Sequence, residues 1–106
     1  KKTRKARICD KTNMYGMYPT QWVQDKMEER LAKIRACYAA GPWNEKNETW
    51  VYYTMHVSPT GDVYKVESWA NATLNACVEK SLVGMQLGPP RSDAGLVRTC
   101  VSSWEE

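Results

Sequence analysis

Phenylalanine is absent from this chain of 106 residues, and histidine occurs once, at His56. A single histidine excludes chemistry that needs two imidazoles, and no Ser/His or Cys/His nucleophile pair stands out. A lone histidine on a strand reads as a partly exposed sheet residue. The chain has no GxGxxG, no P-loop and no HExxH. Its acidic pairs, Glu28-Glu29 and Glu105-Glu106, are adjacent in sequence. Such neighbours diverge on a helix and form a solvated face rather than a catalytic dyad. These absences point away from an enzyme. The cysteines contain no CxxC and no close Cys/His pair, so no metal and no cofactor is expected. No apolar run approaches the roughly 20 residues of a membrane helix. The sequence also lacks an initiating Met and the short apolar stretch of a signal peptide, which predicts an excised or processed piece of a longer protein.

What is present describes one globular domain. Hydrophobic residues make up 42% and charged ones 25%, and the chain is too short for a second core. Cys9, Cys37, Cys77 and Cys100 are even in number and dispersed. That reads as two disulfides in an oxidising compartment, against the other reading of four buried thiols in a cytosolic protein. Four cysteines allow about three connectivities, and spacing leaves all of them open. The net charge of +3 is unevenly placed. Lys1, Lys2, Arg4, Lys5 and Arg7 are followed by ten basic and twelve acidic residues, so the body from residue 8 onward carries −2. A basic tail can contact phosphates. Here it reads as a solvated linker, lying away from the aromatic strands, and no nucleic-acid partner is expected.

Residues 8–19 carry Gly16 and Pro19 and no helical period, and are read as an extended arm anchored by Cys9. Thr20 is placed as an N-cap, followed by Val23, Met27, Leu31, Ile34 and Tyr38 at helical spacing. One amphipathic helix over about 20–40 follows, stopped by Gly41-Pro42. Residues 49–57, TWVYYTMHV, form a strand with Val51, Tyr53, Met55 and Val57 facing the core. Ser58-Pro59-Thr60-Gly61-Asp62 is a hairpin turn. Val63 and Val66 share a face on the returning strand only if a bulge falls near Tyr64-Lys65. Asn71 caps a second helix whose buried stripe is Leu74, Cys77, Val78, Leu82 and Met85, ended by Gly88-Pro89-Pro90. A last strand runs from Leu96 to Ser103. The expected fold is α+β, two helices on one face of a three-stranded antiparallel sheet in the order helix, strand, strand, helix, strand.

That order, with the hairpin SPTGDVYKVES at 58–68 and the exit LGPP at 87–90, resembles the C-terminal domain of the TonB/TolA superfamily. The hairpin is similar to the family's xPDG-x-V-x-x-V turn and bulged strand. Ile34-Arg35-Ala36-Cys37-Tyr38 and Asn75-Ala76-Cys77-Val78 resemble the AgmX/PglI-type variant of gliding-motility proteins. The likeness covers about residues 19–104. It implies a Cys37–Cys77 bridge between the two helices, leaving Cys9 for Cys100. It also implies a domain at 19–106 preceded by a basic linker and arm at 1–18.

The resemblance further implies a periplasmic domain of a longer, inner-membrane-anchored chain that couples an envelope or motility machine to an outer-membrane partner. In such domains the last strand accepts an extended segment of a partner protein. Carried over, the acceptor is Leu96, Val97, Arg98, Thr99, Cys100, Val101, Ser102 and Ser103. Membrane contact would come only through an anchor upstream of Lys1. The Cys9 arm departs from the family pattern and, if bridged to Cys100, would lie across that edge. The main alternative is a secreted, disulfide-stapled domain that recognises protein or glycan through aromatic residues. Its candidates are Trp50, Tyr52, Trp69 and Trp104, from five Trp and six Tyr in all. Asn47-Glu48-Thr49 and Asn71-Ala72-Thr73 would be glycosylation acceptors in a eukaryotic secreted chain.

Overall fold

Strict alternation at the N-terminus, Lys5 and Arg7 exposed against Ala6 and Ile8 buried, makes the first ordered element a strand rather than a linker. The structure, a computed structural model, describes residues 4–9, 18–40, 49–68, 72–91 and 95–105. Its elements are β1 (Arg4–Ile8), α1 (Thr20–Glu28), α2 (Leu31–Ala40), β2 (Thr49–Val57), β3 (Val63–Ser68), α3 (Ala72–Leu82) and β4 (Gly95–Glu105). The four strands form one antiparallel sheet in the order β1-β4-β2-β3. Among the described residues the fold is therefore α+β with three helices and four strands, against two and three expected. The extra strand was hidden by its basic residues. The extra helix arises because the expected single helix tightens at Glu29-Arg30, where the Arg30 N–H bonds back only three residues to the Met27 carbonyl at 2.9 Å.

All five apolar residues of that expected stripe, Val23, Met27, Leu31, Ile34 and Tyr38, are buried. Pro19, not Thr20, occupies the N-cap position of α1, since its carbonyl accepts from the Val23 N–H and Thr20 is already helical. Gly41 and Pro42 lie outside the described residues, as do Asn71 and Trp69. The helices cover one sheet face: α1 and α2 pack on β1, α3 packs on β3, and α2 and α3 touch each other. Between the layers Tyr38 and Tyr53 meet hydroxyl to hydroxyl at 3.1 Å among Met27, Ile34, Met55, Leu82 and Val101. Burial, with the Tyr38 hydroxyl beside it, pushes the Tyr53 phenol far above its ordinary range.

The hairpin follows its sequence. Gly61 takes φ +93°, its N–H donates to the Ser58 carbonyl at 2.9 Å, and Tyr64 is the extra residue that returns Val63 and Val66 to the core face. Helix α3 ends earlier than Gly88-Pro89 would dictate. Gly84, at φ +92°, provides the left-handed stop two residues past Leu82, and Met85 is buried from the following loop. Cys77, expected in the buried stripe, is exposed, whereas Cys37 is buried at 6% exposure. Both expected disulfides form: Cys37–Cys77 joins α2 to α3, and Cys9–Cys100 joins the segment after β1 to β4, with Cα atoms 5.7 and 5.5 Å apart.

Candidate functional site

The expected acceptor strand is not an edge strand. β4 lies between β1 and β2: Val101, Ser102 and Ser103 pair with Ile8, Arg7 and Ala6 on one side and with Val51, Trp50 and Thr49 on the other. The Cys9 N–H extends this ladder to the Cys100 carbonyl at 3.1 Å. Beyond that bond, residues 95–99 of β4 have no described strand on the β1 side. Among the described strands the edges are β1 and β3, and each is partly occupied. Because hydrogen-bonded pairs alternate along the ladder, the Ala6 carbonyl points outward from β1, where the Arg35 Nε donates to it at 3.1 Å. At the start of β3 the loop after α3 takes the backbone positions: Met85 accepts from the Val63 N–H, Val63 from Gly84, and Gly61 from Leu87. The rest of β3 is short and carries exposed Lys65 and Glu67, the charged pattern that discourages strand pairing.

The sheet face opposite the helices is different in kind. Strand alternation and register place Lys5 and Arg7 of β1, Leu96, Arg98, Cys100, Ser102 and Trp104 of β4, and Trp50, Tyr52, Thr54 and His56 of β2 on this side. No helix among the described residues packs against it. Trp50 is 57% exposed, Leu96 38% and Tyr52 37%, large values for residues in the middle of a sheet. The aromatic rings are held rather than loose. The Trp50 indole donates to the Ser102 hydroxyl at 2.8 Å, and the Arg7 guanidinium lies 5.7 Å from the centre of the Trp104 ring. Arg98 lies 5.8 Å from Tyr52 in the same way. Cys100 of the Cys9–Cys100 bridge stands opposite Tyr52 in the ladder, on the same face.

At the far end His56 Nε2 meets Glu67 Oε1 at 2.5 Å, and Lys65 is 3.6 Å from the same carboxylate. The hydrogen bond from His56, then the Lys65 charge, hold the Glu67 carboxyl below its usual range. His56 is thus one half of a surface pair beside Tyr64, at 6.1 Å between ring centroids. The described residues hold no group of three or more His, Cys, Asp or Glu that could hold a metal ion.

Of the four aromatic candidates, Trp50, Tyr52 and Trp104 come together on this face, and Trp69 lies outside the described residues. Sequence reasoning missed Lys5 and Arg7. The signal was present as the alternation Lys5-Ala6-Arg7-Ile8, but the charge run masked it. A second concavity, a cleft of about 420 Å³ between α2 and α3, is lined by Lys33, Ala36, Cys37, Cys77, Lys80 and Ser81. No protein family, curated protein or solved structure matches this chain. The two disulfides are compatible with a periplasmic or secreted location. No helix among the described residues is long and apolar enough to cross a membrane.

Proposed function

We propose that this chain is a non-enzymatic binding domain of the periplasm or secreted space that holds a partner on the open face of its sheet. The observation that carries this reading is the Trp50–Tyr52–Trp104 group, anchored by Ser102, Arg7 and Arg98 on a face that no helix among the described residues covers. Tryptophan, tyrosine and arginine are the residues that dominate interface energetics, and rigid rings lose little entropy on docking. Two disulfides stiffen the platform, one between α2 and α3 and one from Cys9 to Cys100, the cross-strand neighbour of Tyr52.

The TonB/TolA resemblance supports the same compartment and a coupling role in an envelope or motility machine. Strand addition on β4, the contact that resemblance implies, has one observation in its favour: residues 95–99 pair with β2 alone among the described strands. It has β1 against it over residues 101–103, so the open face is the better-supported contact. The test is to replace Trp50 and Tyr52 together by serine and measure partner engagement in the native compartment alongside the melting temperature. Loss of engagement with the fold retained supports the open face. Full engagement by the folded double variant sinks it.

A further inference from the structure

We propose that the cleft between α2 and α3 is a thiol-exchange site, where a small carboxylate-bearing thiol attacks Cys77 and forms a mixed disulfide with it. The site lies in the helix layer, so it goes beyond the open face and does not depend on it. The two bridges of the protein differ in access. Cys9–Cys100 joins a half-buried cysteine to a buried one. Cys77, in contrast, is exposed and lines a cleft of about 420 Å³ with Lys33, Ala36, Cys37, Lys80 and Ser81. Small-molecule sites run to roughly 300–1,000 Å³, so the cleft has room for a small ligand. Exchange requires a thiolate to reach one sulfur of a bridge, and exposed bridges are the ones that react.

The attack has a direction. Cys37 is buried and Cys77 exposed, so the incoming thiolate meets Cys77 Sγ and Cys37 departs. The thiol first gives its proton to solvent. Its sulfur then bonds to Cys77 Sγ, the Cys37–Cys77 bond breaks, and the electron pair passes to Cys37 Sγ. No further oxidant or reductant enters. The Cys37 thiolate forms beside the Ser81 hydroxyl, 3.6 Å from Cys37 Sγ. That hydroxyl donates to the Cys77 carbonyl at 2.9 Å and can turn to the thiolate once it forms. Return of the thiolate onto Cys77 expels the small thiol and restores the bridge, so the modification is reversible.

Charge selects the thiol. Cys37 meets both Cys77 and Ser81, and Arg30 reaches the Ser81 carbonyl at 3.5 Å, so α2 and α3 run antiparallel here. Lys33, one turn before Cys37, and Lys80, nearly one turn after Cys77, therefore stand at the same end of the cleft. A helical turn places that end about 5.4 Å from the bridge along the helix axes. Among the described residues neither lysine has an ion-pair partner. Glu79, beside Lys80, takes a hydrogen bond from the Ser68 hydroxyl. A ligand with a carboxylate at one end and sulfur at the other fits this layout. Its anion rests by the lysines while its sulfur reaches Cys77, and the same positive charge stabilises the departing Cys37 thiolate.

The test treats the oxidised native protein with four thiols: glutathione, mercaptopropionate, neutral mercaptoethanol and cationic cysteamine. Reactions are quenched with N-ethylmaleimide and the cysteines mapped by mass spectrometry. Cys37–Cys77 should open about tenfold or more faster than Cys9–Cys100, with the small thiol on Cys77 and maleimide on Cys37. K33Q/K80Q replaces two exposed side chains and should leave the fold intact. It should slow the two carboxylate thiols about tenfold, mercaptoethanol about twofold, and cysteamine not at all. Adducts on Cys37, or opening of Cys9–Cys100 at an equal rate, overturn the exchange site. The same change for all four thiols, or no change for any, overturns the carboxylate-bearing ligand.

Discussion

The Trp50 indole N–H donates to the Ser102 hydroxyl at 2.8 Å across β2 and β4, fixing an exposed ring over a fully buried serine. This pair converts a mobile surface tryptophan into part of a rigid platform. Replacing Ser102 by alanine removes the acceptor. The expected cost is about 0.5–1.5 kcal/mol of stability, held down because an exposed indole can turn to water. Chemical denaturation checks the energy. Faster ring motion of Trp50 in side-chain relaxation checks the loss of rigidity, and an unchanged ring would contradict the platform.

The two disulfides should separate in their effects. Cys37–Cys77 closes a sequence separation of 40 residues and Cys9–Cys100 one of 91. In the chain-entropy model these are worth up to about 4 and about 4.5 kcal/mol. C37S/C77S should lower stability without changing hydrogen exchange in β1 relative to the other strands. C9S/C100S should speed exchange at the Arg7 amide selectively, because the bridge secures β1 beside β4. Equal exchange in both variants would remove the anchoring role of Cys9.

Acid should weaken the far end of the face first. The Glu67 carboxyl is held below its usual range by the His56 hydrogen bond and the Lys65 charge. A depressed carboxyl stabilises the fold at pH values above the ordinary glutamate range, and that contribution disappears as pH falls through the depressed value. The melting-temperature gap between wild type and E67Q should be small but positive at pH 6 and should vanish at strongly acidic pH. High salt should shrink it at pH 6, since the pair is exposed. A gap that grows on acidification would reverse the assigned sign.

Gly61 is the least replaceable turn residue. A Cβ at its φ of +93° would lie 2.1 Å from the Gly88 carbonyl oxygen and 2.5 Å from Gln86 Oε1. G61A combines a left-handed backbone penalty of about 1–2 kcal/mol with a clash against backbone, so a loss above about 2 kcal/mol is expected. Because Leu87 donates to Gly61 and the Trp22 indole and Tyr18 hydroxyl donate to Leu87 and Gly88, the damage should spread to the start of α1. Equilibrium unfolding and exchange at residues 20–24 measure both parts.

Much of this architecture is written locally. The β2–β3 hairpin, its Tyr64 bulge and the core faces of both strands follow from alternation and from Gly61, and both expected cysteine pairings form. The departures have non-local causes. No helix breaker lies in Met27-Glu28-Glu29-Arg30, so the tightening there leaves no mark in composition. Gly84 ends α3 because the loop after it must reach back to Val63, a constraint set by the neighbouring strand. β1 escaped notice because charge density outweighed a five-residue alternation, and only the ladder to β4 reveals it. That one missed strand moved the candidate site from an edge to a face. Trp50, Tyr52 and Trp104 were legible as candidates, whereas their arginine companion Arg7 was legible only as part of a tail.

The most direct test of the open face is a photo-crosslinking scan in the native compartment. A benzophenone amino acid would be placed singly at Tyr52 and Leu96 on that face, at Lys33 and Lys80 beside the helix cleft, and at Tyr64 on β3. Adducts to one discrete partner from positions 52 and 96, with none from 33 and 80, are the predicted result. Adducts confined to positions 33 and 80, or to position 64, would contradict it.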